Sequence, residues 1–498
     1  MKVRILSRFP TLTALIAGGL LPLAYAPHHY FWLAILSPAL LLYLWQSSSP
    51  KKAFLLGFAF GLGMWGVGVS WVFVSIHDFG NTSVPLALFI TSLLVLLYAF
   101  ITATQGYCLK RFFKGNRTLL WLIGFPSLWV LFEWFRAWFL TGFPWLFLGY
   151  TQLDTPLGGL APLLSVYGVS LAVAITAGAI VALSLGNKKI KLISLGIVVV
   201  LWAGGEYSRR INWTTPRDKL FSVSMVQANI SPFDKFTHSN PILAAEQNYD
   251  KPSSKQWGKD LILWPESAIL YPLPDVKPYL DKLNDLAKVK GTTLITGILT
   301  ALDEKDYYNS MIALGAGNGV YHKRHLLPFG DFLPFETYLR GLISFFNIPL
   351  SSFIPGPDKQ PDMHIDGLSV APLICYEIAF PELVRESVQN KDVIVTLSED
   401  GWFGKSWGPY QHLQIAEMRA LETGRYVLRS TTSGLTAIID PKGKVEKMAP
   451  PFTTAVLEGS FYKMTGDTPW MKLGGSLPLM LVLLACFLLP GRLTIQKK

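Results

Sequence analysis

Cysteine and charge are both scarce in this chain of 498 residues, and each shortage excludes something. The three cysteines, Cys108, Cys375 and Cys486, form no framework, and no zinc-ligand spacing occurs around them. A Walker-type glycine loop is also missing. Asp, Glu, Lys and Arg make up 15% of the residues against 51% hydrophobic, a balance rarely found in a soluble protein of this length. The net charge of +11 raises the question of nucleic acid. Its distribution answers it: Lys and Arg cluster in short loops between apolar runs, so nucleic-acid binding is not expected.

Charged residues are sparse up to about residue 205 and ordinary from there to about 468. That shift divides the chain into a membrane part at 1–204, a globular part at 205–468 and a C-terminal segment at 469–498. The globular part is long enough for one large core. Apolar runs lie at roughly 10–26, 31–46, 53–75, 84–107, 118–140, 157–185, 190–204 and 471–490. A hydrocarbon core of about 30 Å takes about 20 helical residues to cross. The expectation is a multi-span α-helical membrane domain of about eight transmembrane helices, with the runs at 31–46 and 190–204 short for the task.

The loops alternate in charge. Residues 1–8, 47–52, 110–117, 187–191 and 492–498 are basic, whereas 27–30, 77–83 and 141–155 carry almost no Lys or Arg. The positive-inside rule then puts both termini in the cytoplasm and residues 205–468 on the far side. The first run also has the form of a secretion signal, ending in Ala24-Tyr25-Ala26. Cleavage there would leave the orientation unchanged, because the second run would still start outside. Glu133 and Arg136 lie within the fifth run at a spacing that shares a helix face. Two readings stand: a pair that snorkels outward near the interface, or a pair that holds a lipid headgroup.

In the globular part, strand-like stretches at 221–227, 261–264, 292–297, 310–314, 368–375, 393–397, 426–431 and 435–440 alternate with helix-like ones at 276–289, 335–346, 380–389 and 410–423. Strands mixed with helices indicate α/β layers. Cys375 is the single thiol of this part, without a disulfide partner there. Leu373-Ile374-Cys375-Tyr376-Glu377 places it at the end of an apolar strand, where α/β folds present reactive groups. A buried structural cysteine is the bland alternative.

A reactive thiol needs a base and a donor for the oxyanion it creates, and a nearby cation lowers its pKa. Two other strand ends offer such groups. Leu263-Trp264-Pro265-Glu266-Ser267 ends in a carboxylate, and Tyr321-His322-Lys323-Arg324-His325 puts a lysine after a short strand. Singly, each is more often a solvated charge.

The motifs WPES, HKRHLLPFGDFLPF and LICYE, in that order, resemble the nitrilase superfamily with its Glu–Lys–Cys triad. The flanking apolar runs, TGFPWLFLGYTQLDTPLGGLAP at 141–162, VQANI, and WFGKSWGPYQHLQIAEMRALETGR at 402–425 resemble its membrane branch, the apolipoprotein N-acyltransferases. The resemblance implies an αββα nitrilase-like domain in the periplasm, on the inner membrane of a Gram-negative bacterium. It implies Cys375 as nucleophile, Glu266 as general base and later acid, and Lys323 as oxyanion stabiliser. Asp331 and Glu377 become supporting carboxylates that orient Lys323 or the substrate amine. Tyr376, Trp402 and Phe236 fall at the acyl or headgroup site. The implied reaction moves an acyl chain from a phospholipid, through a Cys375 thioester, to the α-amine of a diacylated apolipoprotein, with no cofactor or metal.

The chain departs from the family pattern at three places. Asp331 stands where Glu is usual and reaches about 1.5 Å less, so its contact is expected to be rebuilt or bridged by water. Phe236 stands where Trp is common, so the ring stays and the N–H donor is lost. Ser398-Glu399-Asp400-Gly401 differs from the usual Asn-Asp-Ala form. Residues 341–356 (GLISFFNIPLSSFIPG) read either as a lipid-dipping flap or as a helix packed on the core. Two further functions compete with the transferase: a membrane-tethered nitrilase-type amidase, and a non-enzymatic transporter or scaffold for which Cys375 would be dispensable.

Overall fold

The computed structural model describes residues 8–80, 82–237, 240–302, 306–332, 353–365 and 367–489. They fall into two compact units: Met1–Phe73 with Val84–Asn212 and Pro469–Lys498, and Val74–Ser83 with Trp213–Thr468.

The first unit is helical. Its main helices are Pro10–Leu20, Leu33–Gln46, Pro50–Gly68, Val84–Phe112, Phe125–Arg136, Ala161–Leu185, Lys188–Arg210 and Leu477–Leu488, one in each apolar run. Among the described residues, Val84–Phe112, Arg117–Arg136, Pro156–Leu185 and Lys188–Arg210 are long and apolar enough to cross a membrane. Pro50–Gly68 and its bent continuation add a fifth if counted as one. Pro10–Ala24, Leu33–Gln46 and Leu477–Leu488 are apolar but shorter than a span. The 14 residues of Leu33–Gln46, for instance, rise only about 21 Å.

Glycine sets the helix spacing. A Cβ on Gly18 would stand 1.9 Å from the carbonyl oxygen of Phe60, and one on Gly63 2.2 Å from that of Leu15. Small residues of this kind let apolar helices approach backbone to backbone. Glu133 and Arg136 are 1% and 6% exposed, which rules out outward snorkelling. The Trp129 indole N–H (3.0 Å) and the Leu148 amide (2.8 Å) donate to Glu133. The Arg136 guanidinium donates to the Trp145 carbonyl (3.0 Å) and lies 4.8 Å above the Trp65 ring.

The second unit contains two sheets. The first has the order β13-β1-β2-β4-β5-β6, with β3 also on β4. Its strands are β1 (Thr215–Gln227), β2 (Leu261–Leu263), β3 (Ile269–Pro272), β4 (Thr293–Ala301), β5 (Tyr307–Gly315), β6 (Val320–His322) and β13 (Ala455–Thr465). The second has the order β12-β11-β10-β9-β8-β7: β7 (Met363–Ile365), β8 (Leu368–Ile374), β9 (Val393–Ser398), β10 (Val427–Thr431), β11 (Ala437–Ile439) and β12 (Val445–Met448). The centres are parallel (β1 with β2, β2 with β4, β8 with β9, β9 with β10) and the edges antiparallel.

Residue alternation explains the layers. Val223, Met225, Leu261, Leu263 and Ile295 face a core shared with Val370, Ile374, Val393, Val395 and Leu428 of the other sheet. Their neighbours Val226, Ile262, Leu294 and Ile298 face a separate core with Tyr279, Leu280 and Leu283 of helix Lys277–Lys290. Pro381–Val388 packs on β8 and Gly408–Thr423 on β10, giving helix, sheet, sheet, helix. The latter helix begins at a proline-containing first turn and stops at Gly424, whose φ of 65° is the left-handed position glycine takes readily.

All eight expected strands are present. β3, β7, β12 and β13 were not expected: β12 is largely exposed, and β13 interrupts its apolar residues with Glu458, Gly459 and Lys463. Helix 335–346 lies outside the described residues.

Candidate active site

Three chain segments leave strand ends and converge. Beyond β2, Trp264-Pro265-Glu266 turns against β4, where the Gly297 amide donates to the Pro265 carbonyl (3.2 Å). A Cβ on Gly297 would lie 2.5 Å from the Ser267 nitrogen, so the turn needs glycine there. Lys323 follows β6 directly, its amide donating to the Asn309 carbonyl (2.9 Å). Cys375 follows β8 with φ of 52°, a left-handed position that costs a non-glycine residue about 1–3 kcal/mol.

Glu266, Lys323 and Cys375 are 5%, 2% and 8% exposed. Glu266 Oε1 accepts from Asn309 Nδ2 (2.8 Å) and Lys323 Nζ (3.4 Å), and Oε2 accepts from the Glu399 amide (2.8 Å). Lys323 Nζ also meets Asp331 Oδ2 at 2.7 Å. Burial disfavours the charge on Lys323, but Asp331 and then Glu266 outweigh it and hold the ammonium well above its usual pKa. The shorter carboxylate of Asp331 therefore reaches Lys323 directly, without a bridge. The turn explains this: the Leu327 amide donates to Asp331 Oδ2 (2.7 Å) and the Asp331 amide to the Leu327 carbonyl (2.8 Å).

The Cys375 thiol is pushed well above the usual cysteine range, by burial first and then by Glu266, with Lys323 pulling the other way. The sequence suggests a cation that lowers it; the lysine is there, but desolvation and the carboxylates dominate. Burial and the neighbouring carboxylates thus favour the protonated thiol.

Glu377 is fully buried and acts on backbone. Its Oε1 accepts from Tyr321 Oη (2.8 Å), the Arg324 amide (2.8 Å) and the His325 amide (3.1 Å), and Oε2 accepts from the Ile374 amide (2.7 Å). It ties the Cys375 turn to the segment carrying Lys323. Tyr376 is buried, its ring 5.0 Å from Phe380 and 6.0 Å from His325. Trp402 is half-buried, edge-on to Phe79 at 6.3 Å. Phe236 lies in helix Pro232–Thr237, and its side chain is outside the described residues. Residues 341–352 of the suggested flap are likewise outside them. The end of that segment is tied down: the Phe353 amide donates to the Asp331 carbonyl (3.0 Å) and the Gly356 amide to that of Lys323 (2.8 Å).

Several residues at the site were not foreseen. Asn309 holds Glu266 from mid-strand. His412 Nε2 donates to the Cys375 carbonyl (3.2 Å), which requires the proton on that nitrogen and leaves Nδ1 to accept from Arg429 Nη2 (3.0 Å). Arg429 Nη2 also meets Asp400 Oδ2 at 2.5 Å. Lys235 pairs with Glu399 and donates to the Glu266 carbonyl (3.3 Å). His412 lies in a quoted motif and Glu399 and Asp400 in a quoted departure from the family pattern, whereas Asn309, Lys235 and Arg429 carried no such signal.

Among known families, residues 17–179 match the one described as the apolipoprotein N-acyltransferase N-terminal domain, and 222–462 match carbon-nitrogen hydrolase. The chain is 43% identical over 463 residues to the apolipoprotein N-acyltransferase of Coxiella burnetii, covering 92% of this chain and 95% of that one. It is 40% identical over 476 residues to that of Vibrio parahaemolyticus, covering 93% of each. An amidase of the nitrilase superfamily from Nesterenkonia aligns with 52% of this chain and 95% of its own, at 16% identity and a TM-score of 0.39.

Proposed function

The chain belongs to the apolipoprotein N-acyltransferase family, and on that premise we propose that Cys375 carries the acyl chain as a thioester between a membrane phospholipid and a diacylated apolipoprotein. The protein is an enzyme, an acyltransferase of lipoprotein maturation. The observation that carries the assignment of roles is a single buried lysine, Lys323, held between Asp331 and Glu266 beside the Cys375 thiol.

In the first half-reaction Glu266 takes the Sγ proton as sulfur bonds to the ester carbonyl carbon. Lys323 faces the oxyanion of the tetrahedral intermediate. The carbon–oxygen bond to the glycerol breaks, Glu266 returns the proton to the departing oxygen, and lysophospholipid leaves. In the second, the N-terminal α-amine of the diacylglyceryl-cysteine attacks the thioester and gives a proton to Glu266. The carbon–sulfur bond breaks, the thiol is restored and the N-acylated lipoprotein leaves. Asp331 orients Lys323, Glu377 holds the Cys375 turn, and Tyr376, Trp402 and Phe236 contact the lipid.

Both substrates are lipids held in a bilayer, which gives one chain a reason to carry a helical unit and a hydrolase-like unit. In this reading the helices make about eight crossings of a Gram-negative inner membrane, both termini are cytoplasmic, and residues 205–468 are periplasmic. The charge alternation of the loops supports that orientation. The test is incubation of the purified enzyme with a phospholipid carrying an isotopically heavy acyl chain, followed by mass spectrometry of the Cys375 peptide. A heavy thioester on the wild type, absent in Cys375→Ala and discharged by a diacylated lipopeptide, is expected. A wild type without adduct would end the proposal.

A further inference from the structure

Glu266 is gripped at both ends by one buried ion pair. Lys235 and Glu399, each 6% exposed at the side chain, are joined Nζ to Oε2. Lys235 Nζ donates onward to the Glu266 carbonyl (3.3 Å) and to Thr432 Oγ1 (2.8 Å). The Glu399 amide donates to Glu266 Oε2 (2.8 Å), and Glu399 Oε1 accepts from the Gly401 amide (3.2 Å). Burial disfavours both charges. It leaves Glu399 raised above the usual carboxylate range, yet Glu399 opposite keeps Lys235 above its own usual value, as an ion pair requires.

The next residue extends the grip to the nucleophile. Asp400 is fully buried and accepts from Arg429 Nη2 (2.5 Å), which also donates to His412 Nδ1 (3.0 Å), and His412 Nε2 donates to the Cys375 carbonyl (3.2 Å). Adjacent Cα atoms are fixed about 3.8 Å apart by the peptide bond. A shift of this segment therefore moves base and nucleophile together.

We propose that Lys235 and Glu399 are positioning residues that set the alignment and the charge balance of Glu266 for proton transfer from Cys375. The proposal rests on the thioester reading above. Among the described residues the charged groups facing Glu266 are Lys323, Lys235 and Glu399, with Asp331 behind Lys323 and the Tyr249 phenol beside Lys235 and Glu399. Asn309 is neutral, and the Cys375 thiol is the proton donor. Glu399→Gln leaves a lysine unbalanced beside Glu266, and Lys235→Met leaves a carboxylate unbalanced there. These act on Glu266 with opposite sign.

The experiment measures the initial rate of Cys375 thioester formation per folded molecule across pH, with the thermal midpoint of each variant in parallel. The acidic limb of the profile should move down by about half a unit or more in Glu399→Gln and up by about as much in Lys235→Met. Lys235→Met/Glu399→Gln should restore the limb while losing at least about tenfold in rate at the optimum, because the lysine contact to the Glu266 backbone is gone. Limbs that stay in place in both single variants overturn the proposal. Should the single variants be too unstable to assay, a double variant that acylates at the wild-type rate overturns it too. A wild type that forms no thioester defeats the underlying reading instead, so the two failures are distinct.

Discussion

Lys323→Met separates the two things Lys323 does. The ammonium is 2% exposed and lies 2.7 Å from Asp331 and 3.4 Å from Glu266. At an effective dielectric constant of about 20, unit charges at these separations attract by about 6 and about 5 kcal/mol. Desolvation of each ion costs several kcal/mol in return, so the whole cluster contributes far less than that sum. Removing one partner is another matter, because it strands carboxylates in the interior at a cost of about 3–5 kcal/mol. For a unit of this size that lowers the thermal midpoint by about 6–20 °C. Acylation should fall by about a hundredfold or more, the usual effect of deleting an oxyanion donor. Lys323→Met/Asp331→Asn removes one stranded charge, so it should recover part of the midpoint and none of the rate. Recovery of both, or a single variant that forms the Cys375 thioester within threefold of wild type, would refute the role. The pH sign is also defined. A lysine whose folded pKa is raised gives its full stability below its unfolded value of about 10.4 and loses it only as pH rises past that point. The lysine itself therefore adds no pH dependence to the wild-type midpoint between pH 6 and pH 9, whereas in Lys323→Met the stranded carboxylates take up protons as pH falls and part of the loss should be recovered at the acid end.

The raised Cys375 thiol should alkylate with iodoacetamide at pH 8.5 at least about tenfold more slowly than a free cysteine, followed on its own peptide by mass spectrometry; equal rates would show a resting thiolate. His412 is held below its usual pKa by burial and by Arg429. Below about pH 6.5 the unfolded chain takes up a proton that the folded one refuses, so stability falls with acidification by about 1.4 kcal/mol per pH unit from this group. His412→Gln should flatten the fall of the thermal midpoint between pH 6.5 and 5, and an unchanged slope would contradict the assignment. Gly63→Ala puts a methyl where 2.2 Å separates it from the Leu15 oxygen, so overpacking should lower the midpoint of the detergent-solubilised enzyme by an amount equivalent to about 1–3 kcal/mol, and an unchanged midpoint would deny that helix contact.

The strands bearing Glu266, Lys323 and Cys375 were legible because each is a short apolar run that stops at a single reactive residue. Period-two burial then assigns those runs to two sheets sharing one core. What escaped the sequence was the set of partners. Asn309 lies 43 residues from Glu266, and Glu399 lies 133 away. A polar residue in YYNSMIALG reads as one more outward-facing position. Lys235 and Arg429 stand in no quoted motif, and Glu399 and Asp400 stood out only as a departure from the family pattern, because composition does not say which opposite charge a residue will meet in the interior. The helical unit shows the converse: the apolar runs were plain, while the approach of Gly18 and Gly63 to neighbouring backbone depends on helix register that periodicity alone does not set.

The protonated thiol connects these features. A thiolate is the form that oxidises and attacks indiscriminately, and its reactivity follows its exposure. Burial suppresses that form at Cys375, and so does Glu266, the strongest of the nearby charges acting on it. In the proposed mechanism Glu266, which adds to the effect of burial on the thiol, is also the group that takes its proton. Lys323 opposes that effect and is itself held by Asp331, so its charge is in place before an oxyanion forms. In that mechanism ionisation of sulfur is coupled to bond formation with the acyl carbon. On that proposal the free enzyme, between release of one product and arrival of the next acyl donor, holds its sulfur as the less reactive thiol.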